Sequence, residues 1–110
     1  MGKLTTHVLD TASGRPGAGV RIELSKLEGR GWARLKTVTT NPDGRTDQPL
    51  LEGKDLRPGT YRLLFFVGDY FKDKLFLDEV PVRFNVADAG AHYHVPLLCS
   101  PWSYTTYRGS

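Results

Sequence analysis

The 110-residue sequence has one cysteine, Cys99, one methionine, and no long apolar run. A lone cysteine cannot close an internal disulfide, so nothing in the chain calls for an oxidising compartment. No stretch approaches the ~18 apolar residues of a membrane span. The opening Met1-Gly2-Lys3-Leu4-Thr5-Thr6-His7 lacks the apolar centre of a secretory leader. The expected location is the cytoplasm, with no membrane as partner. Charge of one sign is equally scarce. Lys+Arg 15 against Asp+Glu 12 leaves +3, and the basic residues form nothing denser than pairs such as Lys72 and Lys74. No nucleic acid partner is expected from so mild a balance. The length itself excludes a two-domain enzyme, and residues 1–110 read as a single domain.

Glycine and proline, by contrast, are plentiful: 12 and 7 residues, scattered along the chain and not gathered in one tail. Such punctuation favours short elements joined by turns. Val20, Ile22 and Leu24 alternate with Arg21, Glu23 and Ser25, the two-residue period of a half-buried strand. After Gly29-Arg30-Gly31, residues 32–39 read as a second strand, and Asn41-Pro42-Asp43-Gly44 as a turn feeding a short third one. Residues 49–59 form a polar connection. Residues 60–67 carry β-branched and aromatic residues at successive positions, which implies a strand covered on both faces. Residues 68–74 are the one helical candidate, with Asp69 available as N-cap. Val80, Val82, Phe84 and Val86 alternate again, residues 87–90 turn the chain into residues 92–99, and Pro101 separates these from residues 103–108. Seven or eight short strands with minor helix point to an all-β, antiparallel β-sandwich.

The three histidines all fall in predicted strands. Alternation puts Tyr93, Val95, Leu97 and Cys99 on a core face, and His92, His94, Pro96 and Leu98 on the other. In the first strand His7 shares a face with Leu9, opposite Val8 and Asp10. A lone strand histidine is ordinarily just part-exposed, but imidazoles titrate near neutrality and a convergent pair suits hydrolytic acid–base chemistry. A three-histidine zinc site is chemically conceivable, yet strand spacing alone does not show that the three converge, and no metal is expected. Cys99 reads as a small core residue, not a nucleophile. Arg45, directly after the Asp43-Gly44 turn, is either a solvated arginine or a group that grips a planar anion and holds a nearby histidine neutral. In the last strand Thr105 and Tyr107 share a face, with Ser110 and its carboxylate close behind.

The segment His92-Tyr93-His94-Val95-Pro96-Leu97-Leu98, with Ser100-Pro101 and the ending Tyr104-Thr105-Thr106-Tyr107-Arg108-Gly109-Ser110, closely resembles the 5-hydroxyisourate hydrolases, the transthyretin-related proteins of urate breakdown. His7-Val8-Leu9-Asp10, residues 41–45 and Gly68-Asp69-Tyr70-Phe71 fall at that family's other shared segments, so the resemblance spans essentially the whole chain. It implies a transthyretin-like, eight-stranded antiparallel β-sandwich with one short helix. It also implies a homotetramer, a dimer of dimers, whose central channel holds active sites that hydrolyse 5-hydroxyisourate without metal or organic cofactor. Carried over position by position, the catalytic set is His7, Arg45, His94 and Ser110, with His7, Arg45 and Tyr107 binding substrate. His92 is a weaker candidate nearer the channel mouth. Cys99 stands where the family commonly has leucine, Trp102 where it often has tyrosine, phenylalanine or glutamine, and Thr105 where it usually has serine; Thr105 is the one expected to face the channel. The competing reading is a non-catalytic carrier of thyroid-hormone type, which shares the fold but is expected to have a more apolar channel.

Overall fold

Leu4, Thr6, Val8 and Asp10 are buried and alternate with the exposed Lys3 and half-buried Thr5, His7 and Leu9 along strand β1 (Lys3–Asp10). In the computed structural model, which describes residues 1–110, that period recurs through the chain. It defines β3 (Arg21–Glu28), β4 (Gly31–Thr39), β6 (Gly59–Phe65), β7 (Val80–Val86), β8 (Tyr93–Cys99) and β9 (Tyr104–Thr106), with two-residue strands β2 (Arg15–Pro16) and β5 (Leu51–Glu52). One sheet runs β2-β1-β8-β9 with β5 also on β1; the other runs β4-β3-β6-β7. Their inner faces enclose one core in which Leu4, Val8, Ile22, Tyr61, Leu63, Phe65 and Leu97 are fully buried. At roughly 1.5–3 kcal/mol for each large apolar side chain buried, this interface supplies the main driving force.

The sandwich differs from the sequence reading in several places. The β1–β8 pair is parallel, with Thr5 beside His94 and His7 beside Pro96; every other pair is antiparallel. These strands are joined through most of the chain, so no hairpin dictates their direction. No third strand follows the turn at Asn41; residues 40–50 are turn and bend until β5. The helix α1 is shorter and earlier, Val67–Phe71, and its N-cap is Phe66, with Asp69 inside it. Lys72, at φ 55°, ends it in the left-handed region, and Asp69 instead meets Lys74 Nζ at 2.8 Å. Finally, β6 is buried on one face only. Thr60, Arg62 and Leu64 on the other are half-buried, with Arg62 stacked over the Trp32 ring at 4.6 Å.

The helix is tied back to β1 by Tyr70, whose hydroxyl donates to Asp10 Oδ2 at 2.8 Å. Asp10 Oδ1 accepts from the Ala12 and Ser13 amides. Burial alone raises a carboxyl pKa, but these donors outweigh it and hold Asp10 below the usual range. Burial and the Asp10 bond push the Tyr70 phenol up to about 12. Cys99 is fully buried, and that burial, with Asp10 nearby, lifts its thiol to about 12. It is a core residue, as its place in the alternation required. No helix is long and apolar enough to cross a membrane.

Candidate active site

The parallel register of β1 and β8 creates the site. It sets Thr5 directly beside His94 and His7 one diagonal step away, all on the outer face of the β2-β1-β8-β9 sheet. The hydroxyl Oγ1 of Thr5 lies 2.8 Å from His94 Nδ1. Thr6, on the opposite face, donates to the Val95 carbonyl at 2.7 Å inside the sandwich. That bond locks the two strands in the register the site requires.

Arg45 reaches this face because the Asn41 side chain builds the turn that carries it. Oδ1 of Asn41 accepts from the amides of Asp43 and Arg45 at 2.9 and 3.1 Å, a local side-chain turn that asparagine forms readily. The turn is pinned to β1 by the Val8 amide, which donates to the Gly44 carbonyl at 2.8 Å. Gly44 has φ +77°, and a Cβ there would collide with the Val8 carbonyl oxygen, so both conformation and space demand glycine. From the same turn the Asp43 carbonyl accepts from His7 Nε2 at 3.0 Å. Since a carbonyl only accepts, Nε2 of His7 carries its proton and Nδ1 is the free acceptor in the neutral ring.

His94 is half-buried, and its pKa lies below the ordinary 6.5. Burial is the largest cause, followed by the positive charge of Arg45 and then by His7. At neutral pH it is a neutral imidazole beside a guanidinium, a pairing able to take a proton and to stabilise an oxyanion. A groove of about 200 Å³ opens next to it, lined by Thr5, Thr6, Arg45, Thr46, Asp47, Gln48 and Pro49. The C-terminal segment closes the other side. Gly109 donates its amide to the His94 carbonyl at 2.7 Å, and the pair forms an isolated bridge.

The residues expected from sequence are therefore divided. His7, Arg45 and His94 come together. Ser110 is exposed and one residue beyond the Gly109 bridge. Tyr107 is not on a regular strand face with Thr105, because β9 ends at Thr106. It is 56% exposed and lines a separate groove of about 390 Å³ with Phe84, Tyr93 and Arg108, along the edge of β7. His92 precedes β8 and is exposed, so two histidines and not three lie in strands; its carbonyl accepts from Arg108 Nη2 at 3.2 Å. No three His, Cys, Asp or Glu side chains cluster as metal ligands. Sequence reasoning missed Thr5 and Gly109. Thr5 was legible as sharing the His7 face, but its contact with His94 depends on the parallel register.

Residues 4–109 match the HIUase/Transthyretin family. The chain belongs to that family. A 5-hydroxyisourate hydrolase of Ralstonia nicotianae is 59% identical over 117 residues, covering 100% of both chains. Among solved family folds, the 5-hydroxyisourate hydrolase of Klebsiella pneumoniae superposes with TM-score 0.85 and 32% identity, covering 100% of each chain. A sea bream transthyretin in complex with thyroxine superposes with TM-score 0.89 and 28% identity, covering 97% of this chain and 94% of that one. The family's sandwich of two sheets with one short helix is thus the fold described above.

Proposed function

We infer that this protein hydrolyses 5-hydroxyisourate, opening its ring to 2-oxo-4-hydroxy-4-carboxy-5-ureidoimidazoline in urate breakdown. The observation that carries the reading is the cluster of His7, Arg45 and a low-pKa His94 on one sheet face, in a chain 59% identical along its full length to a relative of that name. Neutral His94 accepts a proton from water as the water oxygen bonds to the ring carbonyl carbon. Arg45, whose charge acts on His94, stabilises the oxyanion that forms. Collapse of that tetrahedral species breaks the carbon–nitrogen bond, and the proton held on the imidazole passes to the departing nitrogen. Hydrolysis is thereby balanced with water as the only co-reactant. His7 orients substrate through Nδ1.

Tyr107 and Ser110 belong to this reading at the margin of the site. Because Tyr107 lies on a different groove within one protomer, its contribution to substrate binding requires subunits to associate. A homotetramer with the sites in a channel between subunits meets that requirement, and an isolated monomer would then be inactive. The cytoplasm is the proposed location, in keeping with a lone buried cysteine.

A carrier reading draws on the likeness to the thyroxine-bound transthyretin. The hydrolase reading is favoured because the candidate channel face carries two imidazoles and a guanidinium, while the groove beside Arg45 is lined by threonines, Asp47, Gln48 and Pro49 with no large hydrophobic side chain. The test is the ultraviolet decay of freshly generated 5-hydroxyisourate with and without protein, alongside thyroxine binding. Accelerated decay without thyroxine binding supports the hydrolase; unchanged decay with binding overturns it.

A further inference from the structure

The imidazole of His94 is held along both edges. On one, Thr5 Oγ1 stands 2.8 Å from Nδ1. On the other, the Gly109 backbone packs so closely that a Cβ there would lie 2.5 Å from His94 Cδ2 and 3.2 Å from Cγ. With Nδ1 engaged and the Cγ–Cδ2 edge covered, Nε2 is the one ring nitrogen left to meet water or substrate. We propose that Thr5 is a positioning residue that fixes His94 in the Nδ1–H tautomer, so that Nε2 keeps its lone pair for the proton of the attacking water. The proposal rests on the hydrolase reading for its purpose, but not for its geometry.

A hydroxyl suits this place for a reason a carboxylate would not. In the Nδ1–H tautomer Thr5 accepts from the ring, and when Nε2 gains a proton the resulting imidazolium still donates Nδ1–H to the same oxygen. The hydrogen bond is kept through both halves of the reaction. In the opposite tautomer Thr5 would donate to Nδ1, and protonation would force the bond to reverse. A carboxylate would also accept from Nδ1–H, but its charge would favour the imidazolium and hold the base protonated. The threonine leaves that balance to the surrounding groups. These are Arg45 from the turn and His7 from β1, both of which disfavour positive charge on the ring. Arg108, from the C-terminal segment, is engaged with the His92 carbonyl and stacks over Tyr93 at 4.3 Å. No carboxylate side chain is among the groups that shift the His94 titration; the C-terminal carboxylate, on Ser110, follows directly after the Gly109 bridge to His94. The Thr5 hydroxyl has no other hydrogen-bond partner in the protein, so its own proton is free to face the groove it lines with Arg45.

The test compares the wild-type protein with Thr5→Val, Thr5→Ser and Thr5→Asp, by nitrogen NMR of the His94 ring and by the pH profile of 5-hydroxyisourate hydrolysis. The expected wild-type spectrum has a protonated Nδ1 and an unprotonated Nε2. Thr5→Val, which keeps the side-chain shape, is expected to mix the tautomers and lower kcat by about tenfold to a hundredfold, the loss that follows removal of the partner orienting a metal-bound histidine. KM should change little, and Thr5→Ser should restore most of the loss. Thr5→Asp should move the acid limb of the profile to higher pH. A wild-type ring protonated on Nε2 overturns the proposal, as does a Thr5→Val ring and pH profile identical to the wild type. If the wild-type protein has no hydrolase activity, the functional reading fails, while the NMR spectra still decide the tautomer and its dependence on Thr5. If Thr5→Val does not fold, the wild-type spectrum and the Thr5→Ser and Thr5→Asp profiles decide it.

Discussion

The amide of Gly109 donates to the His94 carbonyl at 2.7 Å, and its Cα rests against the edge of the His94 ring with no room for a Cβ. A residue near the end of the chain thus shares in setting the orientation of a histidine in the middle of a sheet. Gly109→Ala should push the ring or the segment away. The expected result is a fall in kcat on the order of 10- to 100-fold, the cost of misplacing a reacting group by about an ångström. Far-ultraviolet circular dichroism and thermal stability should stay close to wild type, because Gly109 contributes nothing to the core. Kinetics and a melting curve on one preparation check both.

After burial, Arg45 is the next largest cause of the lowered His94 pKa. Its guanidinium is one of the charges that keep His94 below 6.5, so the neutral, proton-accepting ring persists to lower pH than a free histidine would. Activity that depends on this base falls as pH drops through that lowered value and is flat above it. Removing the charge with Arg45→Gln should raise the His94 pKa toward its ordinary value. Proton NMR titration of the His94 ring reads the shift directly, whatever the variant does to the rate. A titration midpoint that stays in place would show that Arg45 does not hold His94 neutral.

The Tyr70–Asp10 bond is a stability element and not part of the site. Tyr70→Phe removes the hydroxyl that donates to Asp10 Oδ2, leaving a buried carboxylate with only its two backbone donors. A loss of about 1–3 kcal/mol is expected at neutral pH, typical of a hydrogen bond to a charged group. The folded-state pKa of Asp10 is lowered, so its contribution is fully present above the ordinary carboxyl value of 3.8 and is lost as pH falls through the folded value. The gap between wild type and Tyr70→Phe should therefore narrow in acid. Urea melts at pH 7 and pH 3 measure it.

What could be read in the sequence was periodicity, and what could not was anything set by contacts distant along the chain. The alternations around Val20, Val80 and Tyr93 placed β3, β7 and β8 and their core faces correctly, because burial of one sheet face imposes that pattern on each strand separately. The parallel partnership of β1 and β8 joins residues nearly ninety apart, as in the Thr5–His94 contact, and no local signal records it. Residues 60–67 suggested two covered faces because β-branched and aromatic residues fall at successive positions, whereas Thr60, Arg62 and Leu64 are only half-buried in the fold. The short helix shifted because its start is set by packing of Val67 in the core and not by a capping side chain. At the site, His7 and His94 were legible as strand residues off the core face. Arg45 was legible only as a choice between solvent and site, which the Asn41 turn resolves. Tyr107 was misread by extending strand alternation past Thr106, where β9 stops.

The proposed base is His94, and the most direct measurement is the decay of 5-hydroxyisourate, generated from urate in the cuvette, with wild-type protein and with His94→Ala. General-base catalysis by a placed imidazole is worth about 10²- to 10⁴-fold. The predicted result is rapid decay with wild type and a rate lower by that factor with a folded His94→Ala, the acid limb of the pH profile disappearing with the ring. A His94→Ala protein that hydrolyses the substrate as fast as wild type, with the same pH profile, would contradict it.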